Sequence, residues 1–173
     1  MAITIIPEDG TGLATANSYL SLAAAETYFE AHLYAAAWGA ATDANKNKAL
    51  AQATRLLDAN SVWKGYKLTS TQLLQWPRKD VEHDNFCLAT NVVPVEVRNA
   101  TAELAGLFIS EDLTAEVDQN ALAGISLGKG ALEIDFKDNR SKRQIPIHIN
   151  DLLRGLGRVS AGGSGINIVK ASR

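Results

Sequence analysis

Ala49, Ala53, Leu56, Leu57 and Asn60 recur at spacings of three and four, the clearest helical period in the chain. The pattern predicts a helix over about 44–60, roughly 25 Å long at 1.5 Å per residue, capped by Thr42 or Asp43. Its alanines leave room for a second helix to approach closely. Upstream, Ser21 reads as an N-cap, with Glu26 in the first turns of a helix that ends near residue 33. Its apolar face would carry Leu22, Ala25, Tyr28 or Phe29, and Leu33. Downstream, "VVPVEVRNATAELAGLFISEDL" gives a third helix, with Pro94 in its first turn and Val97, Thr101, Leu104 and Phe108 along one face.

The remaining segments have other patterns. "AITII" is β-branched and reads as a short strand or extended arm that stops at Pro7. Gly39 stops whatever precedes it. "SVWKGYKLTSTQLLQWPRK" is aromatic and mixed, a loop with a short helical turn around 70–74, in which Pro77 pushes Trp76 towards an extended conformation. "AGISLGKGALEIDFKD" alternates as a strand pair turning at 127–130. "IPIHINDLLRGLGRV" holds a short helix from about Ile147 or Asp151 to Leu156, and "SAGGSGINIVKASR" is glycine-rich, then apolar, then basic. The expected architecture is mainly α: a small bundle of three to four helices with an extended N-terminal arm, a β-hairpin insertion near 122–137 and an extended C-terminal tail. The expected divisions are an arm (1–17), a helical core (18–115), an acidic loop with the hairpin (116–145), and a short helix with a docking tail (146–173).

Length adds a prior of one domain for 173 residues. The single cysteine, Cys87, rules out an intrachain disulfide. No run reaches the ~18 apolar residues of a membrane span, and no secretory signal is expected. The net charge of −2 hides a division. Residues 1–136 carry 9 Lys/Arg against 17 Asp/Glu, a balance of −8, and residues 137–173 carry 8 against 2, a balance of +6. An acidic body with a basic end points to an anionic partner, either nucleic acid or the acidic face of a neighbouring copy.

Candidate chemistry is sparse. "EDGTGL" has two glycines like a phosphate loop, but it lacks the third glycine of GxGxxG and the GK[ST] of a P-loop. Glu8 and Asp9 would repel phosphate, so a turn is expected. His83, Asp84 and Cys87 lie close in sequence without the spacing of a metal site, and there is no GxSxG elbow. No enzyme, cofactor or metal is expected. Trp63, Tyr66 and Trp76 lie among Lys64, Lys67, Arg78 and Lys79, a pattern that either stacks the bases of a single strand or fills the core with lysines on its rim. Lys137, Arg140, Lys142 and Arg143 would meet DNA phosphate, pair with acidic residues of a neighbour, or be a solvated loop. The matching acidic face would be Glu111, Asp112, Glu116 and Asp118.

"DGTGLATANSYLSLAAAETYF", "AWGAATDANKNKALAQATRLLDA", "WKGYKLTSTQLLQWPRKDV" and "VPVEVRNATAELA" occur in that order over about 3–113. Together they resemble the head–tail adaptor (connector, head-completion) proteins of tailed bacteriophages, sequences often labelled DnaT-like single-stranded-DNA-binding proteins. The resemblance implies a ring, typically of twelve copies, beneath the portal in the virion neck. Such a protein, made in the host cytoplasm, has copies of itself, the portal and the next neck or tail protein as partners. It lets double-stranded DNA pass through its lumen without sequence-specific binding, and it needs no membrane. The resemblance also implies that Ile166, Asn167, Ile168, Val169, Lys170 and Arg173 dock on the portal. The DnaT-like label implies instead a single-stranded-DNA-binding module using Trp63, Trp76 and the nearby basic residues.

Overall fold

The structure, a computed structural model, describes residues 3–114 and 145–159. Five helices take up 43% of these residues and three small antiparallel strand pairs complete them. The helices are α1 (Leu22–Glu30), α2 (Ala36–Ala40), α3 (Asp43–Asn60), α4 (Val95–Ser110) and α5 (Ile147–Leu152). The strands are β1 (Ser61–Trp63), β2 (Tyr66–Lys67), β3 (Arg78–Lys79), β4 (Glu82–His83), β5 (Phe86–Cys87) and β6 (Gly157–Val159).

α3 and α4 form the centre. Thr42 caps α3 by accepting from the Asn45 N–H, and Asp43 in the first turn complements the helix dipole. Lys46, Ala49, Leu50, Ala53, Thr54 and Leu57 then line its buried face. They meet Val97, Ala100, Thr101, Leu104 and Ala105 of α4, the helix against which α3 chiefly packs. Small residues on both faces let the two backbones approach. Pro94 is the N-cap of α4 rather than a residue of its first turn. The predicted face of α4 is found, with Val97, Thr101 and Leu104 buried and Phe108 half-buried.

α1 begins where expected, with the Ser21 hydroxyl accepting from Ala24 N–H, but it ends at Glu30. Leu33 therefore leaves the predicted apolar face and is 84% exposed beside Tyr34 at 85%. Gly39 lies inside α2 instead of ending a helix. Trp38 of α2 stacks on Phe29 of α1, centroids 4.4 Å apart. Its indole N–H donates to Glu26, whose carboxylate pairs with the buried Lys46 ammonium at 2.8 Å. No helical turn forms around 70–74, where Gln72 and Leu74 are buried and Leu73 is exposed.

The N-terminal segment, expected as a short strand or extended arm, folds back on the body. Glu8 N–H donates to Ser18 O and Asn17 N–H to Ile6 O, each at about 2.9 Å. Asn47 of α3 donates to Ile3 O, and Glu8 and Ala16 are buried. After α5, β6 pairs with β1 in the register Ser61↔Val159, Val62↔Arg158, Trp63↔Gly157. Ile149, Leu153 and Leu156 enter the common core. The expected hairpin near 122–137 and the tail beyond 160 lie outside the described residues. No helix among the described residues is long and apolar enough to cross a membrane.

Candidate nucleic-acid interface

The glycine loop does cradle an anion, and that anion is its own side chain. Glu8 accepts from Gly10 N–H (3.0 Å) and Gly12 N–H (2.8 Å) on one carboxylate oxygen and from Leu13 N–H (2.8 Å) on the other. Gly10 (φ 98°) and Gly12 (φ 79°) supply the left-handed backbone that turns these N–H groups inward. A phosphate has no place there.

Between Asn60 and Lys79 the chain carries four cations, Lys64, Lys67, Arg78 and Lys79, and no acid. Along β1 Val62 is exposed and Trp63 buried; Lys64 is exposed, and Gly65 (φ 64°) then bends the chain into β2, where Tyr66 is exposed. Trp63 meets Trp76 edge-on, with centroids 5.7 Å apart and planes at 80°, a contact worth about 1 kcal/mol beyond its buried area. Trp76 is fully buried and Trp63 nearly so. The tryptophans therefore fill the core, and neither is free to stack on a base. The Trp76–Pro77 peptide is cis.

Three groups fix this segment. Arg78 donates to Lys64 O (2.6 Å), Gly65 O (2.7 Å), Gln75 O (3.1 Å) and the Gln75 side-chain oxygen (3.2 Å). Gln72 donates to Leu74 O and Pro77 O. Asp58 at the end of α3 accepts from the Tyr19 hydroxyl and from Gln75 N–H, and the Tyr19 oxygen accepts from Gln75 and Trp76 N–H. Burial pushes the Asp58 carboxyl up to about 6, against the opposing pull of these hydrogen bonds and of the Lys67 and Arg78 charges. Burial, and then the Asp58 charge, hold the Tyr19 phenol well above its ordinary range. Burial lowers Arg78.

Two strand pairs flank this core. Tyr66, 67% exposed, stands directly across from exposed Lys79 in the β2–β3 pair. Val62, 73% exposed, stands across from exposed Arg158 in the β1–β6 pair, with exposed Lys64 between the two along the chain. A flat ring and an apolar side chain, interleaved with three cations, can stack on bases and contact phosphate. From sequence Tyr66 stood only beside Trp63 and Trp76, and the single-strand role was expected of the two tryptophans, which are buried. Arg158 and Val62 were missed because their pairing joins segments almost a hundred residues apart; the alternation around Trp63 was the available signal.

The other sequence candidates fall elsewhere. Glu111 and Asp112 lie exposed just after α4, where Asp112 accepts from Thr114 N–H and hydroxyl. Glu116, Asp118, Lys137, Arg140, Lys142, Arg143 and the tail residues Ile166, Asn167, Ile168, Val169, Lys170 and Arg173 lie outside the described residues. His83 approaches Asp84 (3.6 Å) and Glu96 (4.0 Å), and Cys87 is a free, exposed thiol. Among the described residues no group of His, Cys, Asp and Glu is placed to hold a metal ion.

No curated protein and no solved structure matches the chain. Residues 3–173 match the family described as "Putative DnaT-like ssDNA binding protein", and the chain belongs to that family.

Proposed function

We propose that the chain binds single-stranded nucleic acid along the face formed by Val62, Lys64, Tyr66, Lys79 and Arg158. The observation that carries this reading is the exposed Tyr66–Lys79 pair, held on a rigid tryptophan–arginine core in a stretch without acidic residues. The family match supports it. Tyr66 stacks a base and the three cations take phosphates, a mode that tolerates sequence because every base has a π-face. The test is fluorescence anisotropy with a labelled oligothymidylate over a range of salt. Tyr66→Ala should weaken binding by 5-fold or more, since stacking is worth about 1–3 kcal/mol per base. Lys79→Ala should lower the salt slope by about 0.7. Equal affinity for the wild type and Tyr66→Ala, or no binding at low salt, overturns the proposal.

A second reading is the tailed-phage head–tail adaptor: a structural ring, of twelve copies by resemblance, under the portal in the virion neck. Its supports are the four ordered motifs, the division of charge between an acidic body and a basic end, and the large apolar side chains left in solvent, Leu33, Tyr34 and Phe86 among them. In this reading the chain is no enzyme and needs no cofactor. The Lys137–Arg143 segment meets the Glu111–Asp118 region of a neighbour, and DNA passes without being gripped. Measuring the mass of the purified chain alone, and then mixed with a candidate portal, tests it. A chain that never associates with itself or a portal is not an adaptor.

A further inference from the structure

The β4–β5 hairpin is a finger whose tip stays in solvent. His83 packs on Gly155, where a Cβ would collide with its ring, and approaches Glu96 near the start of α4. Beyond that anchor the turn Asp84–Asn85 adopts positive φ at both positions, the twist that a two-residue hairpin needs. Phe86, 74% exposed, stands opposite His83. Three exposed acids, Asp80, Glu82 and Asp84, lie along the same segment, with Glu82 paired to Cys87 on the other face of the hairpin.

At the other end of α4 lies an open groove of about 440 Å³ between α2, α3 and α4. Its apolar lining includes Ala37, Ala41, Phe108 and Ile109, with Lys48 and Gln52 on the polar side and no acidic residue. Lys48 is exposed. The finger thus carries one large exposed apolar side chain in an acidic segment, and the groove is alanine-lined beside a lysine. Glu96 and Phe108 are twelve residues apart on one helix, about 18 Å. A finger at one end of α4 cannot reach the groove at the other end of the same chain. It can reach that of a second copy.

We propose that the β4–β5 hairpin of one copy docks in the α2–α3–α4 groove of the next, with Phe86 against Phe108 and Ile109 and the finger's acids towards Lys48. This goes beyond the nucleic-acid reading and does not depend on it. The contact joins two different surfaces, so it propagates head to tail and either closes a ring or runs on as a filament.

The test uses the full chain without nucleic acid, by sedimentation over a range of concentration, with wild type, Phe86→Glu and Ala37→Glu. Both substituted positions are exposed, and circular dichroism verifies that the variants fold. Wild type should assemble, and each variant alone should remain a monomer. An equimolar mixture of the two variants should form dimers and nothing larger, because only one intact finger and one intact groove meet in each pair. Oligonucleotide affinity of Phe86→Glu should remain that of the wild type, which keeps this test separate from the Tyr66 face. A monomeric wild type, a Phe86→Glu protein that still assembles, or a mixture that stays monomeric overturns the proposal.

Discussion

At the scale of single residues, two positions reverse the usual expectation. Gly106 sits within α4, where glycine ordinarily costs about 1 kcal/mol against alanine. Here a Cβ would lie 2.8 Å from the Phe29 ring, which is itself fixed between Trp38 and Tyr28. Gly106→Ala should therefore destabilise the protein by about 1–3 kcal/mol, as overpacking does, measured by urea denaturation; an increase in stability would refute this account of the α1–α4 contact. Asp58 is the second position. Its carboxyl titrates near 6 when folded, raised from the ordinary 3.8, so the folded state holds a proton that the unfolded chain has lost between about pH 4 and 6. Stability from this group is full below pH 4 and is lost as pH rises through 6, a span of at most about 3 kcal/mol at 1.36 kcal/mol per unit. Asp58→Asn removes the titration yet keeps an acceptor for the Tyr19 hydroxyl. Compared at pH 5 and 7.5, the wild type should gain more stability at the lower pH than the variant. Identical pH profiles would show that Asp58 ionises freely.

At the scale of elements, legibility followed the length of the repeat. α3 and α4 run for 18 and 16 residues, enough turns for Ala49, Ala53, Leu57 and Val97, Thr101, Leu104 to declare a face. Ser21 and Thr42 marked helix starts because a side-chain oxygen on an N-cap is a local device. The two-residue strands could not be read, since a period of two needs several residues to show itself. Leu33 was misplaced because its spacing continues that of α1, while the chain leaves the helix after Glu30 with no glycine or proline to announce it. The candidate site was half legible for the same reason. The composition of residues 60–79 pointed to it, but only tertiary packing divides Trp63 and Trp76 from Tyr66. Arg78 illustrates the point: it looks like one of four surface cations and is instead the clamp of the β2–β3 segment. Arg78→Ala should lower both stability and oligonucleotide affinity. Arg78→Lys, a single point donor without the planar fork, should recover little of either. Full recovery by lysine would show that charge alone matters there.

At the scale of the whole molecule, the question is which surface the charge division serves. The body is acidic overall, yet its Tyr66 face collects Lys64, Lys79 and Arg158 where no acid intervenes along residues 60–79. A local basic strip on an acidic particle binds an anionic strand over a short length and discourages wrapping. Residues 161–173 carry two further cations, Lys170 and Arg173, beyond β6, which ends at Val159. Deleting 161–173 leaves every described hydrogen bond and the β1–β6 register in place, so the described fold should persist, seen as a retained cooperative thermal unfolding transition. The two functional readings then diverge. If the chain acts through the Tyr66 face, the truncated protein should bind an oligothymidylate with a salt slope close to that of the full chain, because the phosphate contacts remain. If it acts as an adaptor docked through Ile166–Arg173, truncation should abolish co-sedimentation with a portal. A truncated chain that still attaches to a portal removes the docking role of the tail. A truncated chain that loses most of its affinity, with its salt slope down by about 1.4, the most that Lys170 and Arg173 contribute on a single strand, removes the Tyr66 face as the principal site and places the grip at the basic end.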